Sequence, residues 1–204
     1  MPEYRIARLG SHGSRFVTQI AELINDALGQ GSCRPERLLR QLHDTEHGVF
    51  TVHATATDTV LAAAIVRVFD DDGYARWQAS KSLTGIVPAA APSSRGRRVA
   101  HGDEVSVRPE TRGCGIGRAL QDHVNGWLSG RRVTDFYAPL WNPRSLARAR
   151  EIAHRRASTI VAEIPDYWTE ESLAENWHCP RCGQPCHCPA YLMHTPLNRS
   201  VPPA

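Results

Sequence analysis

The stretch from Val105 to Leu120, VSVRPETRGCGIGRAL, joins a β-branched run to a glycine-rich turn and then to an amphipathic segment. The alternation in 105–107 predicts a strand, and residues 117–128 carry apolar side chains at helical spacing. Glycines allow the backbone to approach a ligand closely, and a helix N-terminus offers unpaired N–H groups with partial positive charge. The stretch therefore predicts a strand–turn–helix unit that could cradle an anionic group such as a pyrophosphate.

The glycine triplet Gly113-x-Gly115-x-Gly117 is not specific by itself, because such triplets also form tight turns that bind nothing. Its spacing does not match the glycines of a dinucleotide-binding turn, and no lysine follows it as in a P-loop. A glycine turn without a ligand therefore stays open as the alternative interpretation.

The pattern Arg112-x-x-Gly115-x-Gly117 after a Val-x-Val strand end resembles the acyl-CoA-binding signature of the GNAT N-acetyltransferase superfamily. The order of elements resembles that family over residues 3–198, and the segment 141–145, WNPRS, resembles its second motif. The resemblance implies a single α/β (α+β) domain over 1–204, with a central mixed, mostly antiparallel sheet flanked by helices. Its central strands are expected to splay apart and form the acyl-CoA cleft.

The resemblance also implies acetyl-CoA as co-substrate and assigns its binding residues. The backbone of Val105, Ser106 and Val107 is expected to pair with the pantetheine arm, and Asn142 and Ser145 to contact the cofactor arm. The turn expected to hold the pyrophosphate comprises Arg112, Gly113, Cys114, Gly115, Ile116, Gly117 and Arg118.

Transfer to an amine needs a base, because an amine is mostly protonated at neutral pH. Asp103 and Glu104 stand directly before Val105, where the resembling family often places substrate-side acids, and strand alternation sends them to opposite faces. Glu104 is the preferred base, Asp103 the second choice and His101 the third. Acids that are merely solvated at a strand start are the alternative.

Acetyl transfer also needs an acid that protonates the departing thiolate, and this chain departs from the family's pattern there. Many members of the resembling family carry a tyrosine seven residues after the motif asparagine, whereas Ala149 stands seven residues after Asn142 here. Either Tyr137, Tyr167 or a water molecule supplies the proton, or no acid is needed; Tyr137 is the preferred candidate.

A dense cluster of cysteines lies in HCPRCGQPCHC at 178–188. Cys-Pro-x-Cys-Gly resembles a rubredoxin-type knuckle, and four thiolates complete the closed tetrahedral site that is typical of structural zinc. Iron, a redox dithiol or unligated thiols are the alternatives, and His178 or His187 could replace one ligand. The predicted metal ligands are Cys179, Cys182, Cys186 and Cys188.

The rest of the chain sets the context for these motifs. A long loop is predicted at 73–102, and the Cys-rich segment 176–190 is predicted as an insertion before the last strand that fastens an acceptor-side loop with Tyr167, Trp168 and Trp177. Strands are predicted at 4–9, 49–56, 60–69, 104–107, 135–141, 159–164 and 191–193. Helices are predicted from Ser14 to Leu28, from Pro35, over 117–128, over 142–156 and from Thr169.

Composition excludes several classes of protein. A hydrophobic fraction of 41% over 204 residues argues against disorder, and no apolar run reaches the ~20 residues of a membrane span. The N-terminus has no signal-like segment, so a cytoplasmic protein without a membrane partner is expected. The net charge of +3 is too small to indicate nucleic-acid binding by itself.

Three functions remain open at this stage. The preferred one is acetyl transfer from acetyl-CoA to a primary amine of an unidentified small molecule or protein. The second is a nucleic-acid-binding protein that combines the zinc knuckle with the basic helix at 144–156, and the third is a catalytically silent acyl-CoA sensor. A homodimer is left open as the assembly.

Overall fold

The computed structural model describes residues 3–83, 85–87, 98–141 and 145–197. The chain divides into two compact units, each assembled from three segments. The first unit comprises 1–67, 102–125 and 168–187, and the second comprises 68–101, 126–167 and 188–204.

The described residues form seven strands and six α-helices. The strands are β1 Tyr4–Leu9, β2 His47–Ala54, β3 Val60–Val68, β4 Arg98–Val107, β5 Val133–Trp141, β6 Thr159–Ile164 and β7 Ala190–Pro196. The helices are α1 Val17–Leu28, α2 Pro35–His43, α3 Asp71–Ser80, α4 Ile116–Gly130, α5 Leu146–His154 and α6 Thr169–Ala174. Short 3₁₀ turns precede α1 and follow β4, at Ser11–Phe16 and Pro109–Thr111.

The strands form one mixed sheet in the order β1-β2-β3-β4-β5-β7-β6, which confirms the predicted α/β class. The pairs β1–β2, β2–β3, β5–β7 and β6–β7 are antiparallel. β4 pairs with β5 in parallel from Arg98 to His101, and this register ends opposite Tyr137 although β4 continues to Val107 and β5 to Trp141.

The core of the first unit lies where α1 and α2 cover the strands. α1 is amphipathic, so one face is buried while positions such as Glu22 stay exposed. Pro35 occupies the first turn of α2, where its missing N–H costs no helical hydrogen bond. The buried side chains of this core include Phe16, Ile20, Leu23, Ile24, Leu38, Val49 and Ile65.

The predicted loop at 73–102 is wrong at both of its ends. Residues 71–80 form α3, whose N-cap residue Asp70 accepts a 2.6 Å hydrogen bond from the Gly73 N–H. Tyr74 and Trp77 are buried beside Phe69, and Trp77 stacks on the Phe69 ring with 5.3 Å between centroids. The acidic residues that suggested a loop therefore cap a helix held by aromatic burial. β4 begins at Arg98, while residues 88–97 lie outside the described residues.

Ser14 does not cap α1 as the sequence predicted. It lies inside the 3₁₀ turn Ser11–Phe16, and the α-helix begins at Val17 without a side-chain cap. The other predicted helices and strands are present; β1 and β6 have the predicted bounds, and the rest have shifted ends. Residues 142–144 of the predicted 142–156 helix lie outside the described residues. No helix in the described ranges is both long and apolar enough to span a membrane.

We expect Ile24→Ala to lower the free energy of unfolding by about 2–5 kcal/mol, because a fully buried side chain is replaced by a cavity. Glu22→Ala, on the exposed face of the same helix, is the control and should change the free energy by less than about 0.5 kcal/mol. Urea unfolding followed by circular dichroism measures both. Equal free energies for the two variants would show that α1 is not part of the core.

Candidate functional site

The glycine turn has the backbone conformation of an anion cradle. Gly113 and Gly115 have φ values of +80° and +83°, and a Cβ added to either would meet no atom within 4 Å. α4 begins at Ile116, and the amides of Arg118 and Ala119 both donate to the Gly115 carbonyl at 3.0 Å. The N–H groups of a helix's first turn have no partner within the helix. The turn therefore presents open space, glycine backbone and a helix N-terminus together.

The end of β4 holds this turn in place. The Arg112 guanidinium donates through Nε to the Val107 carbonyl at 3.0 Å, and a Cβ on Gly117 would lie 3.3 Å from Val107 Cγ2. Ser106 is buried, and its hydroxyl oxygen has no hydrogen-bond partner among the described residues. Val105 and Cys114 are exposed. The residues predicted to contact acetyl-CoA from 105 to 118 thus lie together within the first unit.

Glu104 is placed in a buried polar cluster on β4. Its Oε1 accepts a hydrogen bond from Nη2 of Arg37 on α2, and its Oε2 is buried without a hydrogen-bond partner in the described part of the chain. The Cys33 thiol lies beside the carboxylate, close enough for each group to influence the pKa of the other. Burial raises the pKa of Glu104 to about 7 against the lowering effect of Arg37, and the neighbouring charge of Asp103 raises it further.

The Cys33 thiol is far from ionisation in this cluster. Burial and, next, the charge of Glu104 raise the pKa of Cys33 to about 12. The thiol therefore stays protonated and is not a nucleophile at neutral pH.

Asp103 has different partners from Glu104, as the alternation of a strand predicts. Its Oδ1 lies 3.6 Å from Nη2 of Arg67 on β3, and its Oδ2 lies 3.8 Å from Nε2 of His47 on β2. Both acids are thus charge-paired. Glu104 differs in having a buried oxygen without a partner, which is where a transferred proton could reside.

His101, the third candidate base, belongs to the second unit. Its Nε2 lies 3.1 Å from the hydroxyl of Tyr167, and its ring packs against Trp77 with 5.2 Å between centroids. Lys81 donates to the Tyr167 carbonyl at 2.7 Å and places its ammonium 4.3 Å from the centre of the Tyr167 ring. Tyr167 is therefore tied to α3 and β4 within this unit.

Tyr137, the candidate acid, is buried on β5. Its ring stacks on His194 of β7 with 4.8 Å between centroids, and His194 Nε2 lies 3.0 Å from Asp135 Oδ1. Ala149, at the position of the missing tyrosine, is buried in α5. The Ser145 hydroxyl accepts from the Arg148 N–H at 3.2 Å and so caps α5, while Asn142 lies outside the described residues.

The four predicted metal ligands lie together. The sulfur atoms of Cys179, Cys182, Cys186 and Cys188 are all within 4.8 Å of one another. Cys182 Sγ and Cys186 Sγ are 3.8 Å apart, which is too long for a disulfide bond. Four sulfurs on a tetrahedral metal with ~2.3 Å bonds would be about 3.8 Å apart. This cluster could therefore hold a metal ion, and neither His178 nor His187 belongs to it.

Backbone amides surround the cysteine sulfurs. The Arg181 N–H points to Cys179 Sγ at 3.4 Å, and the His187 N–H points to Cys182 Sγ at 3.3 Å. Cys179 and Gly183 exchange backbone hydrogen bonds of 3.2 and 3.0 Å, with Gly183 at φ +78°. Amide donors of this kind stabilise thiolates, which is the form that binds a metal.

The segment around the cluster is fastened to α6. The Cys186 amide donates to Ser172 Oγ at 2.8 Å, and the Thr169 hydroxyl donates to the Cys186 carbonyl at 2.6 Å. Gln184 donates through Nε2 to the Ser172 carbonyl at 2.6 Å. Trp177, one of the aromatics predicted for an acceptor-side loop, is buried here, whereas Tyr167 belongs to the second unit.

Arg37 and Cys33 are site residues that the sequence analysis missed. Arg37 lies 67 residues before Glu104, and Cys33 stands apart from the cysteine cluster. No local pattern marks either residue, because their role depends on how α2 docks beside β4.

No protein-family model matches the sequence, and no curated protein is similar to it at the level of sequence. Solved structures do resemble it. The ribosomal-protein-S18-alanine N-acetyltransferase of Escherichia coli superposes with a TM-score of 0.62 at 14% identity, covering 99% of each chain. Arabidopsis thaliana NAA60 in complex with acetyl-CoA gives a TM-score of 0.67 at 11% identity, covering 97% of this chain and 100% of that one.

A GCN5-related N-acetyltransferase from Kribbella flavida gives a TM-score of 0.56 at 13% identity and covers 95% of this chain and 97% of that one. Similarity at this level of identity concerns the fold. The chain therefore has the fold of the GCN5-related N-acetyltransferases, and its structural neighbours are N-acetyltransferases.

Proposed function

We propose that the protein is an acetyl-CoA-dependent N-acetyltransferase that acts on a primary amine of a small molecule or protein. The observation that carries the proposal is the position of Glu104. Its buried carboxyl, with a pKa of about 7, stands on β4 directly before the strand residues expected to bind acetyl-CoA. A base poised near neutral pH is what proton removal from an amine requires.

The glycine turn fits the pyrophosphate of acetyl-CoA. Gly113 and Gly115 leave the space above the turn open, and the first-turn amides of α4 point a partial positive charge there. The unpartnered hydroxyl of Ser106 and the backbone of Val105–Val107 would hold the pantetheine arm. The cradle therefore suits an anion attached to an extended chain.

The proposed reaction assigns a role to each of these residues. The carboxylate of Glu104 removes a proton from the ammonium group of the acceptor, directly or through water, and keeps it on the carboxyl. The amine nitrogen attacks the thioester carbonyl; a C–N bond forms, the C–S bond breaks, and CoA leaves as a thiolate. Tyr137 is the preferred donor of the proton that the thiolate takes up, with Tyr167 or water as alternatives. The second proton, which the nitrogen loses as it becomes an amide, restores this donor, and the proton held by Glu104 passes to solvent.

We propose zinc as the ion of the cysteine cluster, because four thiolates in a closed set suit zinc and leave no position for a substrate. Bound zinc would supply ordering free energy to the Pro-rich segment 176–190, which has few aliphatic side chains to bury. Its role is therefore structural.

The basic helix α5 gives little support to the alternative that the protein binds nucleic acid. Arg148 and Arg155 both pair with Glu151, so part of the positive charge on this face is already neutralised. Salt-dependent gel-shift of RNA or DNA would favour this alternative. Tight acetyl-CoA binding without turnover over polyamines, aminoglycosides, amino acids and peptides would instead favour the sensor.

We expect Gly115→Val to weaken acetyl-CoA binding at least about 100-fold, because it loses several backbone contacts worth on the order of 1 kcal/mol each. Gly85→Val is a matched control, since Gly85 has the same φ of +83° and equally open surroundings. Calorimetry on the folded variants measures both affinities. Unchanged affinity in Gly115→Val would reject this turn as the binding site.

We expect Glu104→Gln to lower kcat by ~10²-fold while acetyl-CoA affinity stays within about twofold. In the wild type, kcat/KM should fall as pH drops below about 7, because Glu104 then holds a proton and cannot accept another. This acidic limb should disappear in the variant.

Asp103→Asn is the control for the choice of base. A full loss in Asp103→Asn with a normal rate in Glu104→Gln would transfer the role to Asp103. Normal rates in both variants would leave His101 or a water chain as the base.

We expect elemental analysis to find about one zinc per chain, as a four-ligand site requires. Chelation or Cys182→Ser should increase hydrogen exchange around residues 166–190 and weaken acceptor use, with little change in acetyl-CoA affinity. Metal-free protein with full activity and an ordered segment would contradict this role, and so would a metal whose removal first abolishes acetyl-CoA binding.

A further inference from the structure

The segment between α1 and α2 lies directly against the cysteine-rich segment. Gly29 has a φ of +114°, and a Cβ at this position would come within 2.1 Å of the His178 carbonyl oxygen and 2.8 Å of Pro180. The His178 amide donates to the Gln30 carbonyl at 3.0 Å. Only glycine allows this approach, so the two backbones are in direct contact.

Further contacts extend this interface on both sides of Gly29. The Trp177 indole donates through Nε1 to the Leu28 carbonyl at 2.8 Å, and its side chain is buried. A Cβ on Gly31 would lie 2.9 Å from the Asn176 carbonyl oxygen. Arg34 donates to the carbonyl of Glu175 and lies 3.4 Å from its carboxylate. The residues just before the cysteines thus hold the whole segment from Leu28 to Arg34.

The same segment continues into the surroundings of Glu104. Asn25 of α1 clamps Cys33 by accepting from its amide at 2.9 Å and donating to its carbonyl at 3.0 Å. The Cys33 thiol lies beside the Glu104 carboxylate. Arg37 donates hydrogen bonds both to that carboxylate and, at 2.7 Å, to the Ser32 carbonyl. The backbone of 29–34 therefore fixes the two side chains that contact Glu104.

We propose that the cysteine-rich metal knuckle (residues 176–188) positions the base Glu104 through the 29–37 segment, with Cys33 and Arg37 as positioning residues. The proposal rests on the proposed function, because that function makes Glu104 the base. The charged and titratable groups facing Glu104 are Cys33 and Arg37 from this segment and Asp103 from β4. Two of these three groups move if the segment moves.

The expected direction of the change in the Glu104 pKa follows from the largest influence on it. Burial is the largest influence on its pKa and raises it. Loosening the 29–37 segment admits water to the carboxyl, so the pKa should fall towards the ordinary value of about 4.3. A weaker and displaced base should slow acetyl transfer, while the glycine turn at 113–118 is not part of this contact chain.

The experiment titrates Glu104 without turnover. Zinc-loaded protein labelled with ¹³C at glutamate carboxyls is titrated by NMR in the absence of acetyl-CoA and acceptor, and Glu104→Gln assigns the signal. Gly29→Ala introduces the Cβ that the knuckle excludes. Gly85→Ala is the control, because Gly85 also has positive φ but meets no atom within 4 Å.

We expect Gly29→Ala and zinc-chelated wild type to lower the Glu104 titration midpoint by about one pH unit relative to Gly85→Ala. Trp177→Phe, which loses the bond to Leu28 and part of the indole's packing but keeps an aromatic ring, should shift it in the same direction by less. Trp177→Phe tests the same coupling if Gly29→Ala does not fold. A midpoint equal to that of Gly85→Ala in all folded samples overturns the proposal.

Rates measured on the same samples separate this proposal from the proposed function. We expect kcat to fall about 10-fold or more in Gly29→Ala, with acetyl-CoA affinity within about twofold of the wild type. A shifted midpoint in a protein without acetyl transfer to any amine would refute the transferase function and leave the coupling intact. Normal acetyl transfer with an unshifted midpoint would refute the coupling alone.

Discussion

The contact between the Glu104 carboxylate and the Arg37 guanidinium is the interaction on which the candidate site depends. A buried carboxylate is costly to hold away from water, and removing one partner of such a pair typically costs about 3–5 kcal/mol. The arginine comes from α2 and the carboxylate from β4, so the pairing links helix docking to the chemistry of the strand. The neutral Cys33 thiol lies beside this pair and adds no charge to it.

The cysteine-rich segment of the same unit has too few apolar side chains to form a core of its own. It contains three prolines and no aliphatic side chain larger than alanine between Trp177 and Ala190, so hydrophobic burial alone cannot order it. Hydrogen bonds to Ser172 and Thr169 on one side and to Gln30 on the other connect it to two helical regions. A metal ion would stiffen this connection with four bonds in place of a core.

The sequence was most informative where one local property determines the structure. Alternating apolar residues marked β1 and a β-branched run marked β6, each to the residue. Ligand spacing predicted the four sulfurs that cluster. The sequence was misleading at α3. Acidic residues usually indicate a turn, but here they lie at the N-terminus of a helix that the burial of Trp77 stabilises. The sequence could not predict the Arg37–Glu104 contact, because no pattern within α2 or β4 indicates a partner 67 residues away.

Each compact unit is assembled from three separated stretches of chain, and this has a consequence for how the protein is made. The first unit needs residues 168–187 as well as 1–67, so it cannot be completed until residue 187 has been synthesised. Pairings between such distant segments carry a high loop-closure cost and fold slowly. The apolar face of α2 is covered early, because every residue of the core around α1 and α2 lies between Leu9 and Ile65. The metal ligands are made later, so metal supply in the cell would act on a late folding step, after the core that contains α2 has formed.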